Sequence, residues 1–360
     1  DRAALCALAA VKYHVTVESG EGYAPYGYEK VELPEEYNKY HVFRNTLSLP
    51  LGYTYKNYIL YDNYAPLTAL QKQEALLQGV VLGEVPEGFG EIQPVDTGVE
   101  REFTVSYDEK KITETKDGFL VKKKNASVTF EFDGLKDCET YLVISGLYYD
   151  WTKLSGYRDI EQKMTLTITA QDEYGRAVQK ELKYLGAAQE HYSGRNDYSV
   201  NLCYSEGRKV SVSVKFPRTG TYRMDGVKII CQPMQSYEAA VLKLSDETLQ
   251  NVQLFDDNAV HATNRVSGNI NLSEAKLLVL AIPYSDGWSA YVDGEPQKIL
   301  RANTMFCALS LEAGEHEITL RYRTPGLLMG TLVSFLGVLI FAGCLIYQRI
   351  FKLSIVPDRG

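Results

Sequence analysis

Residues Leu327–Tyr347 read LLMGTLVSFLGVLIFAGCLIY, and no charge falls between Arg323 and Arg349. At about 1.5 Å per residue a helix of this length reaches about 32 Å, close to the roughly 30 Å hydrocarbon core of a bilayer. A helix packed inside a soluble domain carries a polar face, and this one offers only Thr331 and Ser334. The sequence therefore predicts a membrane-spanning helix over 326–348, and everything before it is a large water-exposed mass hung on that anchor. The short flank after the helix holds Arg349, Lys352 and Arg359, and short flanks rich in Lys and Arg stay inside. On that rule the tail 349–360 is expected in the cytoplasm and residues 1–325 outside the cell, although Arg321 and Arg323 precede the helix.

The formal net charge is −8; the +2 carried by residues 327–360 leaves −10 for the rest. An acidic body lacks the clustered Lys and Arg that neutralise phosphates, which sets nucleic acid aside as a partner. Six cysteines (6, 138, 203, 231, 307, 344) form no C-x-x-C pair. They read as small buried thiols, with one bridge among Cys138, Cys203 and Cys231 left open. The five histidines have no metal-ligand spacing, so no metal site is expected. The chain starts at Asp1 without a signal-peptide pattern, and a body placed outside the cell needs a leader or earlier membrane helices upstream.

The expected fold is mainly β. Residues 1–82 mix a strand at Val11–Val17, further strands around Tyr40–Phe43 and Leu47–Tyr55, and a helix from Pro66 to Leu82, and read as a mixed α/β module. Glu74 stands where the apolar stripe of that helix wants an apolar side chain. Residues 83–97, rich in Gly, Pro and acids, read as a linker. Over 98–235 apolar residues alternate: Val128, Phe130, Phe132; Met164, Leu166, Ile168, Ala170; Val210, Val212, Val214, Phe216. Period-2 alternation predicts antiparallel sheets packed face to face, hence a β-sandwich or jelly roll. Residues 236–325 read as a small β-sandwich with one helix, Tyr237–Gln250, and with hairpin turns at Ser285-Asp286-Gly287, Asp293-Gly294 and Ala313-Gly314-Glu315.

Signatures of chemistry are sparse. There is no Gly-x-Ser-x-Gly elbow, Gly88-Phe89-Gly90 opens no helix, and the paired acids Glu35-Glu36 and Asp256-Asp257 point to opposite faces if they lie on strands. The compositional excess is tyrosine, 27 of 360 residues against two tryptophans, and Tyr148, Tyr149, Trp151 and Tyr157 cluster between two sandwich strands. Rings with polar edges suit sugars, whose C–H faces stack while hydroxyls take hydrogen bonds, so these four are the candidate carbohydrate-binding residues. The competing explanation is structural, because tyrosine favours half-buried strand surfaces. Trp288 reads as an anchor of the small sandwich core.

Val11-Lys12-Tyr13, Arg44-Asn45, Leu49-Pro50-Leu51-Gly52-Tyr53, Lys72–Leu77, Pro283-Tyr284 through Gly287-Trp288, Val292-Asp293-Gly294, Gly314–Ile318, Tyr322 and Pro325-Gly326 stand in a fixed order before the terminal helix. In this the chain resembles the bacterial YfhO family of multi-pass membrane proteins, most loosely between Gly98 and Met234. The resemblance implies an integral-membrane glycosyltransferase of the GT-C type, taking sugar from a polyprenyl-phosphate donor to a surface polymer such as lipoteichoic acid. It also implies that the catalytic acids lie in loops between early membrane helices, so no catalytic residue transfers to this chain and no cofactor is expected within it. Gly326, Gly330 and Ser334, four residues apart, are the candidate helix-packing face, toward membrane helices outside this sequence. The alternative from a different class is a non-catalytic, membrane-anchored module that binds glycan or protein at the surface.

Overall fold

The computed structural model describes residues 2–17, 25–37, 39–151, 161–255 and 262–353. Its architecture follows from one strand. Leu277-Leu278-Val279-Leu280 is an unbroken apolar run, and such a strand has two faces to cover. In Lys276–Pro283, Leu277 and Val279 join a core with the helices Ala3–Leu8, Ala69–Gln78 and Gln235–Leu244, while Leu278 and Leu280 join a second core against another sheet. All four side chains are fully buried.

That strand lies in a seven-stranded sheet ordered Gly52–Tyr55, Lys276–Pro283, Phe306–Leu311, Leu300–Ala302, Val80–Leu82, Asn57–Leu60, Gly90–Glu91. Leu277 pairs with Tyr55 and Leu280 with Gly52. Facing it is a five-stranded sheet of Gln250–Phe255, Ala262–Leu272, Gly314–Tyr322, Trp288–Val292 and Glu295–Gln297. The layers run helices, seven-stranded sheet, five-stranded sheet. Within the last, Asp293 (φ 53°) and Gly294 (φ 86°) make the tight turn their sequence predicts, since a two-residue hairpin of this kind needs two positive φ values.

Residues 1–82 therefore do not form a module with a core of their own, and the small sandwich of 236–325 is completed by strands from 52–91. The physical reason is edge pairing: without Gly52–Tyr55, Lys276–Pro283 would present bare N–H and C=O groups beside two apolar cores. The helix expected over 66–82 is Ala69–Gln78, opened by a capping box in which the Thr68 hydroxyl accepts from Gln71 N and Gln71 Oε1 accepts from Thr68 N. Beyond Gly79, Val80-Val81-Leu82 turns to strand because it can pair in parallel with Asn57–Leu60. The helix expected over 237–250 is Gln235–Leu244, and Gln250 opens a strand. Nor is 83–97 a slack linker. Gln78 bonds the Val95 backbone through both side-chain ends (2.6 and 2.8 Å), Gln71 bonds Asp96 (2.9 Å) and Thr97 donates to Glu74 (2.6 Å).

The middle of the chain is a β-sandwich. One sheet is Ala177–Leu185, Lys163–Asp172, Lys209–Phe216, Ala126–Phe132, Phe103–Tyr107; the other is Tyr198–Ser205, Cys138–Ser145, Gly226–Pro233, Val99–Arg101. The alternating Val128, Phe130, Leu166, Ile168, Val212 and Val214 of the first meet Leu142, Ile144, Leu202 and Ile229 of the second in one core. A small sheet of Ile112–Thr115, Gly118–Val121, Gly220–Arg223 and Tyr148–Tyr149 adds Phe119, Tyr149 and Tyr222 to that core. All six cysteines are free thiols.

The sandwich meets the three-layer body through buried polar groups. Glu139, 1% exposed, accepts from the Tyr141 hydroxyl at 2.5 Å and faces Asn201 and the Ala3 N–H; Tyr237 donates to Ala3 O at 3.3 Å. Burial raises the Glu139 carboxyl above its usual range, against those hydrogen bonds, which lower it. The folded chain thus holds this proton more tightly than the unfolded one. The resulting stability is full in acid, below the unfolded value near about 4.3, and is lost as pH rises through the folded value. Glu139→Gln keeps the shape without the ionisation, so the stability gap between the variant and wild type should widen in the variant's favour from about pH 4 to about pH 7. Urea midpoints at the two pH values read this, and a constant gap would contradict it. The shared sheet generates a second expectation. Residues 99–233 expressed alone should give a cooperative unfolding transition, whereas 236–325 alone should not, because it lacks Gly52–Tyr55 and Val80–Leu82.

Candidate functional site

Tyr148–Tyr149 pairs with Gly220–Arg223, Tyr148 opposite Arg223 and Tyr149 opposite Tyr222. Strand alternation then sends the two neighbours to opposite faces. Tyr148 is 43% exposed, its ring beneath the Arg223 guanidinium at 5.9 Å. Tyr149 is 1% exposed, packs on Tyr222 at 4.7 Å, and donates its hydroxyl to Thr219 O at 2.6 Å. Tyr149 is thus a core residue, and its place among the sugar-contacting candidates is corrected. Tyr157 lies outside the described residues.

Trp151 lies edge-on to Tyr149 (4.9 Å, 81°) and parallel to Tyr184 (6.3 Å, 13°), with the Arg218 guanidinium 5.4 Å from its ring. Tyr148, Trp151 and Tyr184 line a cleft of about 470 Å³ together with Tyr192, Gln162, Asn196, Ala187 and Ala188. Gln162 shapes one wall: its carbonyl accepts from Gly186 N at 2.6 Å, and its Oε1 accepts from Ala188 N at 2.9 Å. Residue 186 has to be glycine, because a Cβ there would sit 2.5 Å from both Gln162 Oε1 and Trp151 Nε1. Tyr192 donates to Asn196 Oδ1 at 3.2 Å, and Asn196 O accepts from Leu147 N, holding the opposite wall against the small sheet. Burial raises the Tyr184 hydroxyl, partly offset by the Tyr149 N–H that it accepts, so it is a neutral group in the cleft.

The Trp151 indole N–H is buried against the Tyr184 hydroxyl, without a well-formed hydrogen-bond partner among the described residues. A buried donor left unpaired costs about 1–3 kcal/mol, so a ligand or water oxygen there would be favoured. Among the described residues no carboxylate lines the cleft, and no group of three or more His, Cys, Asp and Glu could hold a metal ion. Aromatic faces and amide edges give the cleft groups that can stack on and hydrogen-bond a polar ligand.

Sequence reading named Tyr148 and Trp151 and missed Tyr184, Tyr192, Gln162 and Asn196. Tyr184 was within reach of it, since Leu182 and Tyr184 alternate inward on one strand. The loop residues carry no periodic signal. On the terminal helix, Leu327–Leu353, Gly330 and Ser334 lie four apart on one face, but Gly326 precedes the helix. Its φ of 77° is a left-handed turn that feeds the first turn, Gly330 N donating to Gly326 O at 2.8 Å.

A mostly β body that carries an aromatic cleft and ends in a 24-residue stretch apolar enough to cross a bilayer belongs among membrane-anchored proteins. The chain is a member of the family described as bacterial membrane protein YfhO, whose model matches residues 1–334. Over 349 residues it is 26% identical to the uncharacterized protein YfhO of Bacillus subtilis (strain 168), covering 94% of this chain and 36% of that relative's length. Among solved structures, a mycobacterial arabinofuranosyltransferase AftD mutant matches at 14% identity and TM-score 0.18 over 56% of this chain and 15% of that one. The lectin domain of lectinolysin, complexed with Lewis b, matches at 9% and TM-score 0.23 over 36% of this chain and 91% of that one. A tandem CBM22 domain from Paenibacillus barcinonensis Xyn10C matches at 10% and TM-score 0.20, over 63% and 85%. At these scores the likeness carries neither fold nor function across.

The two neighbouring tyrosines should respond oppositely to truncation. Tyr149→Ala removes a core ring and should cost about 3–5 kcal/mol, whereas Tyr148→Ala, on the surface, should stay within about 0.5 kcal/mol of wild type by urea denaturation. Equal losses would mean that the alternation at this strand is misassigned.

Proposed function

We propose that this chain is the carbohydrate-handling region of a membrane glycosyltransferase, placed outside the cell with its last helix and a cytoplasmic tail. Sugar from a polyprenyl-phosphate donor is transferred to a surface polymer such as lipoteichoic acid by acidic residues in membrane segments N-terminal to this region. The cleft of Tyr148, Trp151, Tyr184 and Tyr192 holds the acceptor glycan. Membership of the YfhO family supports the membrane setting, and the chain's 36% share of its relative's length leaves room for a separate catalytic part. The observation that carries the glycan reading is the cleft itself, with aromatic walls, amide edges and an unpaired indole donor. Orientation rests on Arg349 and Lys352 in the last turns of the helix and Arg359 beyond it. Gly330 and Ser334 supply the small face on which a neighbouring membrane helix packs.

A second reading, supported by the same aromatic and amide lining, is a non-catalytic surface module that binds glycan. Trp288→Phe leaves Trp151 as the only tryptophan, so its emission reports on the cleft alone. Titration with oligosaccharides of the host's surface polymer should shift that emission, and Tyr148→Ala should weaken binding about tenfold, equivalent to about 1.4 kcal/mol. Loss of glycosylated surface polymer on deleting the gene supports the transferase. Intact polymer together with retained binding leaves only the module, and absence of binding removes the cleft from both readings.

A further inference from the structure

A second aromatic group stands at the root of the terminal helix, on the far side of the chain's sequence from the cleft. Trp288 and Tyr322, paired on adjacent strands, have ring centroids 5.0 Å apart. The turn before Trp288 is locked onto the segment that enters the helix. Arg323 N donates to Gly287 O at 2.9 Å, and a Cβ on Gly287 would sit 2.4 Å from Arg323 O, 2.6 Å from the Tyr322 ring and 3.1 Å from Pro325 Cδ. Pro325 is two residues before the helix begins at Leu327. Tyr284, 36% exposed, donates its backbone N–H to Met305 O, and Met305 is 54% exposed. Arg323 is exposed at the end of this strand, while Arg321, on the outer face of the same strand, has its guanidinium 5.5 Å from the Tyr291 ring; Asp286 is the exposed acid in the turn before Trp288.

The apolar stretch Leu327–Tyr347 is about 32 Å long as a helix against a hydrocarbon core of roughly 30 Å, so it has only about 2 Å to spare. Pro325, and with it the Gly287 turn packed on it, is therefore held within the polar layer, which adds about 5–7 Å on each side of the core. Rings with one apolar face and one polar edge are the side chains that settle at that level, and exposed guanidinium groups suit its phosphates.

We infer that the face formed by Tyr284, Trp288, Met305 and Tyr322, with Arg323 beside it and Arg321 on the outer face of the same strand, rests in the headgroup layer of the bilayer and fixes how the β body stands on the membrane. The partner is the lipid surface itself, and the inference does not depend on what the distant cleft binds. Because the turn and the helix root are hydrogen-bonded to each other, the body is docked on the lipid and does not swing on a stalk.

The chain has two tryptophans, so Trp151→Phe leaves Trp288 as a reporter at this face. The variant is reconstituted, with its helix, into phosphatidylcholine–phosphatidylglycerol vesicles containing lipids brominated at shallow or at deep acyl positions. Trp288 emission should be quenched, at least twofold more by the shallow bromines than by the deep ones. Adding Tyr284→Ser and Met305→Ser, both exposed positions, should reduce that quenching at least twofold while circular dichroism stays unchanged. A tryptophan placed in the helix by Leu336→Trp, in a chain with both native tryptophans changed to Phe, verifies insertion through its quenching by deep bromines. If that reporter is quenched while Trp288 is not, the inference fails. It fails equally if Trp288 is unquenched yet protected from aqueous acrylamide, which would mean that protein, not lipid, covers this face.

Discussion

The pairing of Lys276–Pro283 with Gly52–Tyr55 is the contact on which the three-layer body depends. A strand whose alternate residues enter two different cores cannot be left at an edge, because the backbone groups on its open side would be buried without partners. Supplying that partner from more than 200 residues earlier in the sequence closes a very long loop, and the whole sandwich of 99–233 is inserted within it. Once the pair forms, the positions of the flanking helices follow. Tyr53 donates to Leu8 O and Tyr55 to Leu76 O from the same short strand, pinning the first helix and the Ala69–Gln78 helix onto one sheet face. Gly52 is small for a reason of the same kind, since a Cβ there would meet Leu249 Cβ at 2.7 Å.

Local physics was legible in the sequence and long-range pairing was not. Val128-x-Phe130-x-Phe132 and Met164 through Ala170 announced a half-buried sandwich because alternation is a property of adjacent residues. The Asp293-Gly294 turn and the apolar helix after Pro325 are readable for the same reason. Nothing in Gly52-Tyr53-Thr54-Tyr55 says that its partner is Leu277–Leu280, so the first 82 residues looked like a separate module. Glu74 looked misplaced in its helix only because its partner, Thr97, lay in a stretch that composition marked as a linker. Its carboxyl, raised by burial and lowered by the Thr97 hydroxyl, belongs to a contact that no helical periodicity can display.

The cleft divides along the same line. Tyr148 and Trp151 were found because aromatic clustering in sequence is visible, yet clustering cannot say which rings face outward. Alternation placed Tyr149 in the core, and the cleft was completed from a distant strand by Tyr184 and from the loop after it by Tyr192 and Asn196. Gly186 is the informative position, because its missing side chain is what lets Gln162 and Trp151 close the wall. That requirement became readable only when the neighbours were known.

The junction between sandwich and three-layer body has a character that bears on how a cleft on one can act with a membrane helix on the other. Apolar contacts alone tolerate sliding, because dispersion is indifferent to small shifts, whereas a buried carboxyl that must keep its donors admits few arrangements. Here two such carboxyls stand along one seam. Glu139 accepts from Tyr141 and faces the Ala3 N–H, and Glu74 accepts from Thr97, which in turn accepts from Gln232 at 2.6 Å. Each joins the Ala3–Leu8 or Ala69–Gln78 helix to the strands Cys138–Ser145 and Gly226–Pro233. Rotating one body against the other would break these bonds and leave a buried carboxyl without its donors, which is more costly than losing a few methyl contacts. The seam therefore fixes the direction in which the cleft faces, and the hydrogen-bonded root at Gly287 and Arg323 carries that fixed direction to the membrane helix.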